Sequence, residues 1–166
     1  ESMSNRHGRW IDISLSAQRL TLYDEAKNLF ASGISTAKNG PGEQYGSECT
    51  PRGAHIIRAK IGGSCAQNTV FVGRRPTGEQ YSLALGRLYP DRDWILTRIL
   101  WLSGLQRGVN RLGQVDTMRR YIYIHGTPES VEMGVTGSHG CIRMTNNDVI
   151  RLFDMVYTGV EVFINE

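Results

Sequence analysis

At 166 residues and a net charge of +3, the chain is one domain in size and long enough to bury most of its apolar surface in a single core. Ordinary apolar and charged content excludes a disordered chain or a fibre, and the small positive excess is no nucleic-acid footprint. No apolar run is long enough to span a bilayer, so no membrane partner is expected either.

Nineteen glycines fall mostly singly between short apolar runs, a pattern that suits a β-rich fold with many turns. Residues 1–9 read as a polar tail and 10–166 as the domain. The tail lacks the apolar region of a signal peptide. Glu1-Ser2 ahead of Met3 reads as a tag remnant with Met3 the native start, which implies a cytoplasmic protein. A leader encoded upstream of Met3 would instead make it periplasmic. Three cysteines cannot close a disulfide framework; a Cys49–Cys65 bridge is conceivable, but two free thiols suit a domain of this size better.

In chain order, Ile11, Ile13 and Leu15 alternate with Asp12, Ser14 and Ser16, predicting a half-buried strand. Ser16-Ala-Gln18 is the turn to its partner, where Leu20 and Leu22 resume the alternation. Leu29 to Ser35 continues in this style, with a break at Gly33. Residues 37–47 are a Gly, Asn and Pro-rich loop, long enough to be a flap beside a site. Thr50-Pro51-Arg-Gly53 turns into a strand over 54–61. Gly73 to Gly78 reads as a loop and Tyr81 to Leu85 as a short strand. From Asp91 to Leu105, Ile95, Ile99 and Leu102 recur at helical spacing behind Asp91 or Asp93 as cap; the segment is a helix ending at Gly104 or extended chain on the core. Trp94 and Trp101 are core aromatics or the lining of a groove.

Tyr121 to Ile124 reads as a strand that delivers His125 at its end, before Gly126 and Pro128. If Ser138 to Arg143 runs extended, His139, Cys141 and Arg143 share a face. Thr145 then caps a helix with Asp148 three residues on, Ile150, Phe153 and Val156 on one face beside Val149 and Leu152, and Gly159 at its close. Val160 to Ile164 is the last strand. The fold class is mainly β with one or two short helices, a mixed β-sandwich.

Thiol acyl transfer needs a sulfur, a base for its proton and donors for the oxyanion. Cys141, the two histidines and the Gly-bracketed backbone around them supply all three. From the residues alone His125 and His139 both qualify as base. Arg143 is a fixed fork of donors for a substrate carboxylate, with an internal acid as its structural alternative. Ser138 can hold the turn by a local hydrogen bond, and Thr50, Pro51 and Tyr123 are candidates for supporting places. Three ligands from His125, His139 and Cys141 could also hold zinc, but no paired motif accompanies them and neither metal nor cofactor is expected. The order His before Cys disfavours a papain-like peptidase.

His125-Gly126 followed by Ser138-His139-Gly140-Cys141-Ile142-Arg143 resembles the signature of the YkuD-type L,D-transpeptidase catalytic domain. The segment from Ile11 to Tyr23, Ser35-Thr36 and Thr50-Pro51-Arg-Gly53 resemble its other landmarks, so the likeness runs from about Trp10 to Ile164. The resemblance implies that type of mixed β-sandwich and attack on the L,D bond of peptidoglycan stem peptides. It implies Cys141 as nucleophile, His125 as base, the Gly126 carbonyl as the group that fixes its tautomer, and backbone N–H groups from His139 to Cys141 as oxyanion hole. It also implies acylation of Cys141 by carbapenems. With water as acceptor the enzyme is an L,D-carboxypeptidase acting on soluble muropeptides; with an amine it is a cross-linking L,D-transpeptidase. A bare single domain without an export signal favours the carboxypeptidase. A wall-binding module without catalysis is the alternative of another class.

Overall fold

Alternating side chains build the first hairpin as expected: in β1 (Arg9–Ser14) Ile11 and Ile13 are buried, in β2 (Arg19–Asp24) Leu20 and Leu22. The computed structural model describes residues 7–166, so the expectations about Glu1, Ser2 and Met3 lie outside the described residues. Gln18 closes the hairpin at φ 51°, and its amide grips Thr36 through Nε2 to Oγ1 and through the Thr36 N–H to Oε1.

β3 (Lys27–Gly33) adds antiparallel to β2, and β10 (Glu161–Asn165) lies parallel to β1. β4 (Gly53–Ile61) follows β10, and β7 (Ile95–Gly104) follows β4. The hairpin β5 (Thr69–Val72) and β6 (Arg75–Gln80) completes the path, while β8 (Tyr123–Thr127) pairs with β7 and, in parallel, with β9 (Ile142–Thr145). The mainly β class with mixed strand directions thus holds, drawn as one curled ten-stranded sheet. Its two arms close on a core that includes Ile11, Leu22, Leu100, Ile124, Ile142 and Val162.

Several local expectations change. Tyr81–Leu85 is no strand: α1 (Leu83–Leu88) forms there, because Ser82 accepts the Leu85 N–H as a cap and helix formers follow it. Leu83 is 65% exposed and Tyr81 and Leu85 are only partly buried, so the period of two through these three did not record a buried face. Of the two readings of the segment after Asp93, extended chain on the core holds and the helix does not. β7 is buried on both faces and bulges between Leu96 and Ile99, which imitates helical spacing. Asp91 and Asp93 therefore cap nothing. Within 73–78 only Gly73-Arg74 is turn, since pairing resumes at Arg75. α2 (Asn146–Met155) is capped by Thr145 as foreseen, but Val149, Leu152 and Phe153 face the core while Ile150 stays partly exposed. It ends at Met155, four residues before Gly159. Its last carbonyls are met by cations: the Arg9 guanidinium on Met155 O and Lys60 Nζ on Val156 O.

No helix among the described residues is long and apolar enough to cross a membrane. All three cysteines are free, so Cys49 and Cys65 do not pair.

Candidate active site

Parallel pairing of β8 with β9 brings the two signature segments together, with Ile124 opposite Ile142 and His125 opposite Arg143. Ile124, Ile142 and Met144 point into the core; by alternation Tyr123, His125 and Arg143 point to the other face. Two boundaries differ from expectation. β8 begins at Tyr123, because Tyr121 sits at φ 56°, so His125 is central in its strand rather than terminal. Residues 138–141 form a turn, since Gly140 takes φ 129°, and the extended chain starts only at Ile142. His139 therefore does not share a strand face with Cys141. It is exposed at the rim.

The turn is fastened from three sides. Ser138 Oγ donates to the Cys141 carbonyl at 2.6 Å and accepts the Gly140 N–H at 3.2 Å, the local role foreseen for it. Thr50, fully buried, donates to Gly140 O at 2.9 Å and accepts the Ala37 N–H at 3.0 Å. Ser35 and Arg143 exchange both backbone hydrogen bonds at 2.9 Å. A Cβ on Gly140 would press on Ile122 Cδ1 and Cys49 O as well as fight its φ. Because Ser138 Oγ occupies the Gly140 N–H, that group is not available to an oxyanion. Of the three donors the resemblance implies, His139 and Cys141 remain.

His125 is buried, and its Nδ1 donates to Gly126 O at 2.6 Å, which leaves the Nε2 lone pair for the cavity. Gly126 is itself clamped. A Cβ there would collide with Asn146 Oδ1 and with Leu96 O in the β7 bulge. The bulge holds Thr97 at φ 78°, strained for a β-branched residue. Thr97 Oγ1 donates to Asn146 Oδ1 at 2.7 Å and accepts the Asn68 N–H, while Asn146 Nδ2 donates to Asn68 Oδ1. This support was invisible in the sequence, because nothing in a Thr or an Asn announces a partner eighty residues away.

Cys141 is half-buried; its sulfur accepts the Tyr123 N–H and donates to Tyr121 O, both at 3.4 Å. Burial pushes its thiol up to about 12, with the Tyr123 hydrogen bond acting the other way. Burial likewise holds the His125 imidazole below its ordinary range, against the pull of its bond to Gly126. Both shifts favour a neutral thiol beside a neutral imidazole. A neutral imidazole with a free lone pair can take a proton, and the thiol can give one as it attacks.

Both line a cavity of about 480 Å³ with Arg74, Asp93, Arg120, Tyr121, Tyr123 and Ser138 on its walls. Arg143 opens instead into the adjoining groove of about 540 Å³, walled by Trp94 and α1. Its Nη2 donates to Ser35 Oγ at 2.7 Å, and its buried Nε has no partner. No internal acid pairs with it among the described residues. Trp94 is a half-buried wall of the adjoining groove, while Trp101 packs against the small core cluster of Phe71, Ile99 and Tyr123, with Arg74 over its ring. The loop 37–47 lies beside the site, tied down by Arg120, which donates to the carbonyls of Gly42, Glu43 and Cys49. No group of three His, Cys, Asp or Glu side chains is set to hold a metal ion among the described residues. Arg74, Asp93 and Arg120 were missed because single charged residues in loops carry no pattern.

A thiol and an oriented imidazole on one wall, with a glycine-built turn behind the sulfur, define a site suited to cysteine acyl transfer. The chain belongs to the L,D-transpeptidase catalytic domain (YkuD) family, whose profile matches residues 8–164. A putative L,D-transpeptidase YkuD of Bacillus subtilis is 45% identical over 47 residues, 28% of this chain and 29% of that protein. The fold is similar to an L,D-transpeptidase from Mycobacterium smegmatis, with TM-score 0.56, 18% identity, and coverage of 96% of this chain and 59% of that one. It is similar also to L,D-transpeptidase 3 from Mycobacterium tuberculosis in complex with a faropenem-derived adduct, with TM-score 0.59, 16% identity, and coverage of 96% and 60%. The catalytic domain of the E. faecium L,D-transpeptidase is covered to 99%, with TM-score 0.53 and 17% identity. The chain thus spans about three fifths of the two longer mycobacterial chains.

Proposed function

We propose that the protein is a cysteine acyl-transfer enzyme that removes the terminal D-alanine from peptidoglycan tetrapeptide stems, with water as acceptor: an L,D-carboxypeptidase. The observation that carries this is the shared wall of His125 and Cys141, with His125 Nδ1 held by Gly126 O so that Nε2 faces the cavity. Cys141 Sγ attacks the carbonyl carbon of the third stem residue as its proton passes to His125 Nε2. The His139 and Cys141 N–H groups receive the oxyanion. Collapse breaks the C–N bond, His125 returns the proton to the leaving nitrogen, and a thioester remains. Water, giving its proton to Nε2, then attacks the thioester and restores the thiol. Arg143 pairs with a carboxylate of the bound stem in the adjoining groove.

Charge favours water over an amine. Arg74 and Arg120 flank the cavity against a single acid, Asp93, and an acceptor amine would arrive there as an ammonium ion. Soluble muropeptides, as produced in wall recycling in the cytoplasm, suit such a hydrolase, because the tripeptide product is reusable. The faropenem-derived adduct of the M. tuberculosis relative supports a matching expectation, acylation of Cys141 by β-lactams of that kind.

The test is to incubate the protein with disaccharide tetrapeptide and follow products by mass. Tripeptide and free D-alanine are expected. Cross-linked dimers as main product would make it a transpeptidase, and no turnover would leave a wall-binding module.

A further inference from the structure

Three arginines surround the reaction site, and they are not equivalent. Arg120 is spent on the 37–49 loop, with contacts to three carbonyls and Ser47 Oγ. Arg143 is anchored to Ser35 and lines the adjoining groove rather than the cavity. Arg74 makes one side-chain hydrogen bond, from Nη1 to the Tyr123 hydroxyl at 2.9 Å, and no ion pair among the described residues. Its guanidinium lies over Trp101 at 4.4 Å and Tyr121 at 4.9 Å from the ring centroids, a shelf that holds its plane at the cavity wall.

The backbone beneath Arg74 is costly to keep. Val72 pairs with Arg75, so Gly73-Arg74 is a two-residue hairpin turn, and both residues have positive φ, 56° and 65°. Such turns favour Asn-Gly or Gly-Gly, and an arginine in the second place is strained. The backbone of the turn alone would be better served by glycine. An arginine there points to a use for the side chain.

We propose that Arg74 reads the terminal carboxylate of the departing D-residue, and so makes the site selective for stems that end one residue past the scissile carbonyl. The inference rests on Cys141 as the acylated residue and holds whichever acceptor follows. Tyr123 links the two groups: its N–H reaches Cys141 Sγ at 3.4 Å and its hydroxyl meets Arg74 at 2.9 Å, and sulfur and guanidinium line the same cavity of about 480 Å³. A leaving residue adds about 3.3–3.6 Å of chain beyond the scissile carbonyl, so its carboxylate ends within that cavity, where Arg74 can meet it by a charge-assisted hydrogen bond. The remaining guanidinium N–H groups are free to form a bidentate pair.

The experiment compares kcat/KM for a murein tetrapeptide and for the same peptide ending in D-alaninamide, in wild type, Arg74→Gly and Arg74→Gln. The wild type should favour the acid by about tenfold to a hundredfold, the range of a charged hydrogen-bonded pair. Both variants should treat acid and amide nearly alike. Arg74→Gly relieves the turn but gives up the bond to Tyr123 and the stacking on Trp101 and Tyr121. Because acid and amide are compared within one variant, the ratio does not depend on the fraction folded, so loss of discrimination cannot be put down to unfolding. Equal cleavage of acid and amide by the wild type, or an unchanged ratio in Arg74→Gly, would overturn the subsite alone. If the wild type cleaves neither, the reaction falls and the subsite with it.

Discussion

His125 and Cys141 are held neutral by the same cause, burial, and this fixes what each can do. A buried imidazole with Nδ1 tied to Gly126 O is a poor cation and an available base. Burial pushes the Cys141 thiol up, which favours proton transfer to His125 as the sulfur attacks. His125→Ala should therefore lower kcat/KM by on the order of a hundredfold to ten-thousandfold, the usual effect of losing a general base. A stable His139→Ala variant that loses turnover while His125→Ala keeps it would reverse the two roles. The pH profile carries the same logic. His125 lies below its ordinary value, so the acid limb of kcat/KM should have its midpoint below pH 6.5, and activity should persist through pH 6–7. An acid limb above pH 7 would mean that some other group is the base.

Among elements, the 138–141 turn is only as good as its fasteners, and Thr50 is the most buried of them. Thr50→Val removes the hydroxyl and leaves Gly140 O and the Ala37 N–H unpaired inside the protein. Stability measured by denaturant titration should fall by about 1–3 kcal/mol, and kcat should fall more than KM rises as the turn loosens behind the sulfur. A variant with unchanged stability and kcat would show that the turn stands without it. The sequence made the hairpin β1–β2, the cap of α2 and the two signature segments legible, because each rests on local pattern. It left β7 undecided between helix and strand, because a bulge strains Thr97 and breaks the period of two. It misled at α1, where Tyr81, Leu83 and Leu85 copied the spacing of a strand without a buried face. The clamp of Thr97, Asn68 and Asn146 on Gly126 had no local signal at all. Its partners meet only once the sheet has curled.

For the whole molecule, buried histidines couple folding to pH. His55 Nδ1 donates to Gly53 O, and its Nε2 accepts from the buried hydroxyl of Thr117 in the turn before β8. Burial lowers it from 6.5 to about 4. The unfolded chain thus takes up a proton first as pH falls, and stability present above pH 6.5 is lost between 6.5 and 4. The loss from His55 is about 3 kcal/mol, and His125 adds to it in the same direction. Urea unfolding of the wild type should weaken over that window, while His55→Gln should show a shallower slope whatever its stability at pH 7. Equal slopes would exclude His55 as the coupled group.

The thioester on Cys141 is the point on which the account turns. The direct measurement is acid quenching of the protein during turnover of a murein tetrapeptide, followed by intact mass and peptide mapping. A mass increase of one tripeptide acyl group on the fragment containing Cys141, absent in Cys141→Ser and unchanged in Cys49→Ser and Cys65→Ser, is the result expected. An acyl group on Cys49 or Cys65, or turnover that survives Cys141→Ser, would contradict it.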